Sequence, residues 1–309
     1  MDVAAAIEGV RGGDPRAVAR AISMVEDGVS ELPELSAGLF EHTGRASTVG
    51  LTGSPGVGKS SLAGELVRVA RARGRSVAVL AIDPTSPFSG GALLGDRVRM
   101  QEHATDPGVF IRSMATRGHV GGMALAAPEA IRILDASGID LVIVETVGVG
   151  QAEIEVASAT DTTLVVVAPG WGDAVQVSKA GILEIADVFV VNKADKEGAD
   201  DAVRELELML RMGERPPWVP PVVRTSATTR EGLDDLFDAI EHHRDLLEST
   251  GELAAARVTR LRREVETLAA ELVKRRIDER LAQDPRLLRD LEARRVDPYR
   301  AAAALAKHH

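Results

Sequence analysis

The chain has 309 residues, a formal net charge of -10 and no cysteine. This length suffices to bury the core of one large α/β domain with helical additions. The negative charge argues against unspecific nucleic-acid binding, because a phosphate backbone attracts a basic surface, and an aromatic content of 3% offers few stacking platforms. Without cysteine, disulfides, thiol nucleophiles and zinc–thiolate sites are excluded.

The sequence does not indicate a membrane protein. No positively charged start precedes an apolar segment, and no apolar run reaches the ~20 residues that a membrane-spanning helix requires. We therefore expect a soluble, cytoplasmic protein that binds neither membrane nor nucleic acid.

Residues 1–43 predict a small helical extension in front of the main domain. The segment breaks at Gly-Gly-Asp-Pro in residues 12–15 and again between residues 28 and 33. Between the breaks, Val18, Ile22 and Val25 recur at the spacing of one helical face.

From residue 44 to residue 247 the pattern changes to short apolar runs, each followed by a loop and a helical segment. These runs are rich in Val and Ile and do not alternate cleanly with polar residues, which is typical of strands covered on both faces. The order predicts an α/β fold with a doubly wound, mostly parallel sheet that binds ligands at the carboxyl ends of its strands. The predicted strands span residues 48–52, 77–82, 109–112, 141–144, 163–168, 188–191 and 222–224.

A phosphate-binding loop is predicted at residues 53–60, which read Gly-Ser-Pro-Gly-Val-Gly-Lys-Ser. This spacing suits phosphate because the glycines let successive N–H groups turn inward at a helix N-terminus. In such a loop Lys59 reaches the β- and γ-phosphates and the Ser60 hydroxyl binds Mg²⁺. We assign nucleotide binding to Gly53, Ser54, Pro55, Gly56, Val57, Gly58, Lys59, Ser60 and Ser61.

A guanine-binding motif is predicted directly after the strand at residues 188–191. The Asp195 carboxylate can accept hydrogen bonds from the N1–H and the exocyclic amine of guanine, which adenine cannot supply. Asn192 can hold the loop and the other edge of the base, and the Lys193 stem can cover a ring face. Ser226 and Ala227, after the last strand, suit a backbone N–H contact to the guanine oxygen. The set favours GTP over ATP.

Acidic residues at strand ends predict a magnesium site. Glu145 ends one apolar run and is followed by Gly148, whose N–H is placed to sense the γ-phosphate. Asp83 ends another run, and Asp96 lies in a Gly-rich segment suited to a switch. With Ser60, these hard oxygen ligands form a Mg²⁺ environment beside the triphosphate. Each carboxylate alone is also compatible with a helix cap or a solvated loop charge.

Together these motifs resemble the MeaB/ArgK/MMAA group of SIMIBI-class P-loop GTPases. The similarity spans nearly the whole chain, and its most specific stretch is Glu-Thr-Val-Gly-Val-Gly-Gln at residues 145–151. The resemblance implies a GTPase chaperone of adenosylcobalamin-dependent methylmalonyl-CoA mutase, which gates cofactor delivery and protects or reactivates the mutase. It also implies a homodimer joined through a C-terminal helical arm.

One position departs from the wider GTPase pattern. Ras-like GTPases place a water-orienting Gln directly after the Gly of the third motif, and this chain has Val149 there. Gln151 is the candidate to serve in catalysis or to order a switch. We therefore expect slow intrinsic hydrolysis that a partner stimulates. Arg112, Arg117 and Lys179 are candidate anion or switch contacts.

The remaining residues, 248–309, predict a helical arm. A long charged helix carries a narrow apolar seam, which either folds back on the core or pairs with a second chain. The resemblance favours the second alternative, and the terminal histidines receive no metal role. The seam consists of Val258, Leu261, Val265, Leu268 and Leu272.

Other functions remain as alternatives to the GTPase chaperone. A P-loop kinase needs an acceptor pocket with a base and usually reads ATP, which the motif at residues 192–195 does not favour. A nickel-insertion GTPase usually supplies Cys or His ligands, whereas this chain has no cysteine and only seven histidines. A nucleotide-binding module without hydrolysis is the third alternative, which a turnover assay distinguishes.

Overall fold

A computed structural model gives the fold of the chain and describes residues 2–83, 103, 105–115, 123–146, 152–171, 183–212 and 218–306. The chain divides into two compact units, Met1–Arg260 and Leu261–His309. The predicted boundaries after residues 43 and 247 stay predictions.

Three helices precede the sheet: α1 (Val3–Arg11), α2 (Pro15–Asp27) and α3 (Leu32–Phe40). Side-chain caps begin the first two, because the Asp2 carboxylate accepts the N–H of Ala4 and the Asp14 carboxylate accepts the N–H of Arg16. The second helix ends at Asp27 and is capped by Gly28, which has a left-handed φ of 57°. The predicted helical extension is confirmed.

The first unit is built on a seven-stranded sheet with the order β3-β2-β4-β1-β5-β6-β7. Every pair of neighbouring strands is parallel. This confirms the predicted parallel α/β sheet and brings all carboxyl ends to one edge. The strands are β1 (Ser47–Thr52), β2 (Val77–Asp83), β3 (Val109–Ala115), β4 (Leu141–Thr146), β5 (Thr162–Val167), β6 (Val188–Val191) and β7 (Val222–Arg224).

Both faces of the sheet are covered. In β2, Val77 and Val79 enter the hydrophobic core on one face, whereas Ala78 and Leu80 enter the core on the other face. Successive side chains of a strand point to opposite faces of the sheet. A strand that is covered by a hydrophobic core on both faces therefore needs a continuous run of apolar residues. The helices that follow strands in the first unit are α4 (Lys59–Ala72), α5 (Met123–Ala136), α6 (Ala152–Ala159), α7 (Ala199–Met212) and α8 (Leu233–Thr250).

Helix α9 (Glu252–Gln283) begins in the first unit and runs into the second. The second unit also contains α10 (Pro285–Glu292) and α11 (Pro298–Ala306), and the Arg280 guanidinium donates to the carbonyl of Leu305 at 2.7 Å. Among the described residues, no helix is long and apolar enough to span a membrane.

Candidate nucleotide-binding site

The loop between β1 and α4 passes close to two other segments of the sheet edge. A Cβ added to Gly53, which has a φ of 135°, would lie 2.1 Å from the carbonyl oxygen of Val166. A Cβ at Gly58, with a φ of 98°, would lie 2.5 Å from the Asn192 amide nitrogen. Both positions therefore require glycine for conformation and for space. The loop is held against β5 and against the segment after β6.

Lys59 lies across this loop with its side chain buried. Its ammonium donates to the carbonyl oxygens of Gly53 at 2.6 Å and Ser54 at 3.2 Å. The residue is only 6% exposed, so its positive charge is held within the loop and screened little by water. An ammonium in this position can bind an anion placed in the curve of the loop.

Ser60 and Glu145 bring two oxygen ligands together. The Ser60 hydroxyl donates to Glu145 Oε1 at 2.6 Å, and Glu145 is 5% exposed at the carboxyl end of β4. The neighbouring hydroxyls of Thr52 and Thr146 are buried and have no hydrogen-bond partner within the part of the chain that the structure describes. Hydroxyl and carboxylate oxygens are the ligands that Mg²⁺ prefers, so these residues fit that ion.

The other predicted metal residues are not assembled into a described cluster. Asp83 is the last residue of β2 and pairs in register with Ala115, but the structure does not describe its side chain. The described residues contain no group of three carboxylate or imidazole side chains that could hold a metal. Asp96, Gly148 and Gln151 lie outside the described residues, as do Arg117, Val149 and Lys179.

The predicted base motif is docked onto the phosphate loop. The Asn192 amide donates to the carbonyl of Val57 at 2.8 Å, and Asn192 is 2% exposed. Lys193 donates to the carbonyl of Gly56 at 2.6 Å and has a left-handed φ of 59°, which is unfavourable for a side chain of this size. Two adjacent residues after β6 therefore fix the position of the phosphate loop.

Asp195 is held by the loop that follows β7. The Ser226 hydroxyl donates to Asp195 Oδ1 at 2.6 Å, and this hydrogen bond lowers the pKa of the Asp195 carboxyl. The group is therefore an ionised acceptor near neutral pH. The backbone N–H of Ser226 already donates to the carbonyl of Glu231 at 3.0 Å. The Ala227 N–H has a longer contact of 3.4 Å to the side chain of Asn192.

Arg112 does not face this edge as an open anion contact. It is on β3, and its guanidinium donates to the Ser23 hydroxyl at 2.9 Å and pairs with Glu26. Both partners belong to α2, so Arg112 ties the edge strand to the helical extension. Sequence reasoning missed this contact because the partners are far apart along the chain.

A parallel sheet with a phosphate loop after β1 and an Asn-Lys-x-Asp loop after β6 defines a P-loop GTPase of the SIMIBI class. The sequence matches the family described as Methylmalonyl Co-A mutase-associated GTPase MeaB over residues 18–282. The chain belongs to this family, and it is an enzyme that binds and hydrolyses GTP.

Relatives that match most of the chain agree with this assignment. A putative GTPase of Pyrococcus horikoshii is 48% identical over 300 residues, covering 96% of this chain and 95% of that protein. The methylmalonic aciduria type A homolog of Mus musculus is 35% identical, covering 80% of this chain and 64% of that protein. The solved structure of a LAO/AO transport system kinase has a TM-score of 0.73 at 26% identity, covering 99% of this chain and 96% of that one.

Proposed function

We propose that residues 53–61, 192–195 and 226–227 form one guanine-nucleotide site. The observation that carries the proposal is the pair of bonds from Asn192 to Val57 and from Lys193 to Gly56. These bonds seat the base motif directly on the phosphate loop. A base held by one segment and a triphosphate held by the other would therefore keep a fixed separation.

Lys59 exchanges partners when nucleotide binds. Its ammonium leaves the carbonyls of Gly53 and Ser54 and donates to β- and γ-phosphate oxygens, while backbone N–H groups of the loop surround the phosphates. Asp195 receives the N1–H and the amine of guanine. Its depressed pKa keeps it in the accepting form.

Ser60, Asp83, Asp96 and Glu145 would hold Mg²⁺. Bound Mg²⁺ neutralises charge that develops on the phosphate oxygens during hydrolysis. The Ser60–Glu145 hydrogen bond supports two members of this set, because it brings a hydroxyl oxygen and a carboxylate oxygen within 2.6 Å of each other beside the phosphate loop. Glu145 orients the Ser60 hydroxyl through that contact.

Hydrolysis without a partner is slow. Gly148 is assigned to sensing the γ-phosphate, and the next residue, Val149, has an apolar side chain that cannot orient the attacking water. Gln151 is assigned to orienting the water or to ordering a switch once a partner completes the site.

The partner is an adenosylcobalamin-dependent methylmalonyl-CoA mutase. The name of the matched family associates its members with this mutase, and the mouse relative is named for methylmalonic aciduria. The GTPase acts as a chaperone that gates loading of the cobalamin cofactor and protects or reactivates the mutase. GTP hydrolysis determines when the GTPase releases the mutase.

The active form is a homodimer that pairs through α9. Val258 and Val265 are 65% and 64% exposed in the single chain, and Leu272 is 55% exposed. These residues repeat every seventh position, with Leu261 and Leu268 between them, which is the heptad pattern of a coiled coil. A second copy offers the same seam, and pairing would remove it from water.

Steady-state GTP hydrolysis with and without methylmalonyl-CoA mutase tests the chaperone function. The proposal predicts that the purified mutase raises the rate and that the two proteins co-purify in the presence of a non-hydrolysable GTP analogue. Lys59→Ala is the matched control, because it weakens nucleotide binding and should suppress both effects at a nucleotide concentration that just saturates the wild type. Hydrolysis that stays unchanged, with no association, would overturn the assignment of the client.

A further inference from the structure

The loop between β7 and α8 is closed into a compact ring. The N–H of Ser226 donates to the carbonyl of Glu231 at 3.0 Å, and the N–H of Arg230 donates to the carbonyl of Ser226 at 2.8 Å. The N–H of Thr229 donates to the Ser226 hydroxyl at 3.2 Å. Ser226 is fully buried at the centre of these bonds. A displacement of Arg230 would therefore be transmitted to Ser226.

Arg230 has two unusual properties in this ring. Its φ of 65° lies in the left-handed region, which costs energy for any residue other than glycine. Its guanidinium Nε donates to Glu65 Oε1 at 3.3 Å. Glu65 lies on α4 and is 8% exposed, so the ring is tied to a carboxylate that is largely removed from water.

Helix α4 is the helix whose first residue is Lys59. The Glu65–Arg230 pair therefore joins the helix behind the phosphate loop to the ring that holds Asp195 through Ser226. On the other side, Asn192 already joins the base motif to the phosphate loop. Two separate contacts therefore connect the base-reading residues to the phosphate loop and to the helix that follows it.

We propose that Arg230, held by Glu65, is a positioning residue for guanine recognition, an inference that rests on the proposed function of the site. Asp195 must present both carboxylate oxygens in the plane of the base to receive two hydrogen bonds. The Ser226 hydroxyl fixes its rotation, and the Glu65–Arg230 pair fixes Ser226 relative to the phosphate helix. Arg230 touches neither base nor phosphate in this role.

The test compares the dissociation constants of GDP and inosine diphosphate, measured by competition with a fluorescent guanine nucleotide. Inosine keeps the N1–H of guanine and lacks the exocyclic amine, so the ratio of the two constants reports on the orientation of Asp195. Arg230→Gln should weaken GDP binding about threefold to fivefold, the size expected for a partly exposed ion pair. Binding of inosine diphosphate should weaken less, and the ratio should shrink.

Two further variants separate positioning from folding. Arg230→Gly removes the side chain and also relieves the left-handed backbone, so its melting temperature should be no lower than that of the wild type while the GDP preference still falls. Arg68→Gln is the matched control, because Arg68 donates to the other oxygen of Glu65 at 2.7 Å without touching the ring. It should leave the ratio at the wild-type value.

A double variant tests the route through Glu65. If Glu65 acts through Arg230, Glu65→Gln combined with Arg230→Gln should shift the ratio no further than Arg230→Gln alone. An unchanged ratio in both Arg230 variants, or an equal change in Arg68→Gln, would overturn this inference but not the proposed base assignment. A wild-type protein that does not distinguish GDP from inosine diphosphate would overturn both the inference and the proposed base assignment.

Discussion

Asp161 accepts a hydrogen bond of 2.6 Å from Arg257, which joins the start of β5 to the first turns of α9. Arg260 pairs with the same carboxylate, and Arg257 also donates to the carbonyls of Gly44 at 2.5 Å and Ala46 at 2.8 Å. Burial raises the pKa of Asp161, but the hydrogen bond from Arg257 and the charge of Arg260 outweigh it and lower the pKa overall. The first turns of α9 are therefore fixed to the starts of β1 and β5.

Asp161→Asn should destabilise the protein by about 3 kcal/mol, because it leaves two partly buried guanidinium groups without their shared anion. Urea unfolding of the purified variant measures the loss. Asp201→Asn is the control, since its pair with Arg204 is exposed and should change stability by less than about 1 kcal/mol. Equal losses in the two variants would contradict the role of Asp161 as an anchor.

Lys59→Ala should weaken GDP binding by roughly a hundredfold, because a charge-assisted contact to phosphate is lost. Titration with a fluorescent GDP analogue measures the change. Lys274→Ala is the matched control, since Lys274 is an exposed lysine of α9 that belongs to none of the nucleotide-binding motifs. Affinity that survives in Lys59→Ala would show that the loop at residues 53–60 does not hold the phosphates.

His243 should make the protein less stable as the pH falls. Burial lowers the pKa of this imidazole from 6.5 to about 4. Between these two pKa values the unfolded chain binds a proton that the folded chain does not bind. The free energy of unfolding therefore decreases progressively as the pH falls from 6.5 toward 4. Between pH 7 and pH 5 this one group accounts for about 2 kcal/mol.

His243→Gln should remove that part of the acid sensitivity, as measured by urea unfolding at pH 7 and pH 5. The neighbouring Asp187 acts in the opposite direction, because burial raises its pKa to about 6 and protonation then stabilises the fold. Asp187 Oδ1 lies 3.5 Å from His243 Nε2, so the comparison reports the imidazole together with its effect on this carboxyl. His242→Gln, which replaces an exposed ring beside it, should keep the wild-type slope; a flattened slope there would contradict the assignment.

Val265→Glu should convert the proposed homodimer to a monomer, because it places a charge in the centre of the apolar seam of α9. Light scattering coupled to gel filtration measures the mass. Leu288→Glu is the control, since Leu288 is 44% exposed on α10 and lies outside the seam. A wild-type chain that is already monomeric at micromolar concentration would contradict pairing through α9.

The strands and the phosphate loop were predictable because their signals are local. Residues 188–191 and 222–224 form strands as predicted, and the strand predicted at residues 163–168 begins and ends one residue earlier. Apolar runs between turn residues carry this information without reference to the rest of the chain.

The contacts that organise the site were not predictable, because they join distant segments. The Asn192–Val57 bond spans 135 positions, and the Arg230–Glu65 bond spans 165. The partners of Asp161 are also distant along the chain. In the sequence, Arg257 and Arg260 are recognisable only as two arginines spaced by three on a charged helix. Single-sequence patterns give the elements, whereas such bonds depend on how the elements pack.

A variant whose base specificity changes from guanine to xanthine tests the guanine site most directly. In Asp195→Asn the amide donates where the carboxylate accepted, so affinity for GDP should fall by roughly a hundredfold and affinity for xanthosine diphosphate should rise above it. Competition against a fluorescent nucleotide measures both constants in the same protein. A variant that still prefers GDP to xanthosine diphosphate would contradict the assignment of Asp195 and the guanine site built on it.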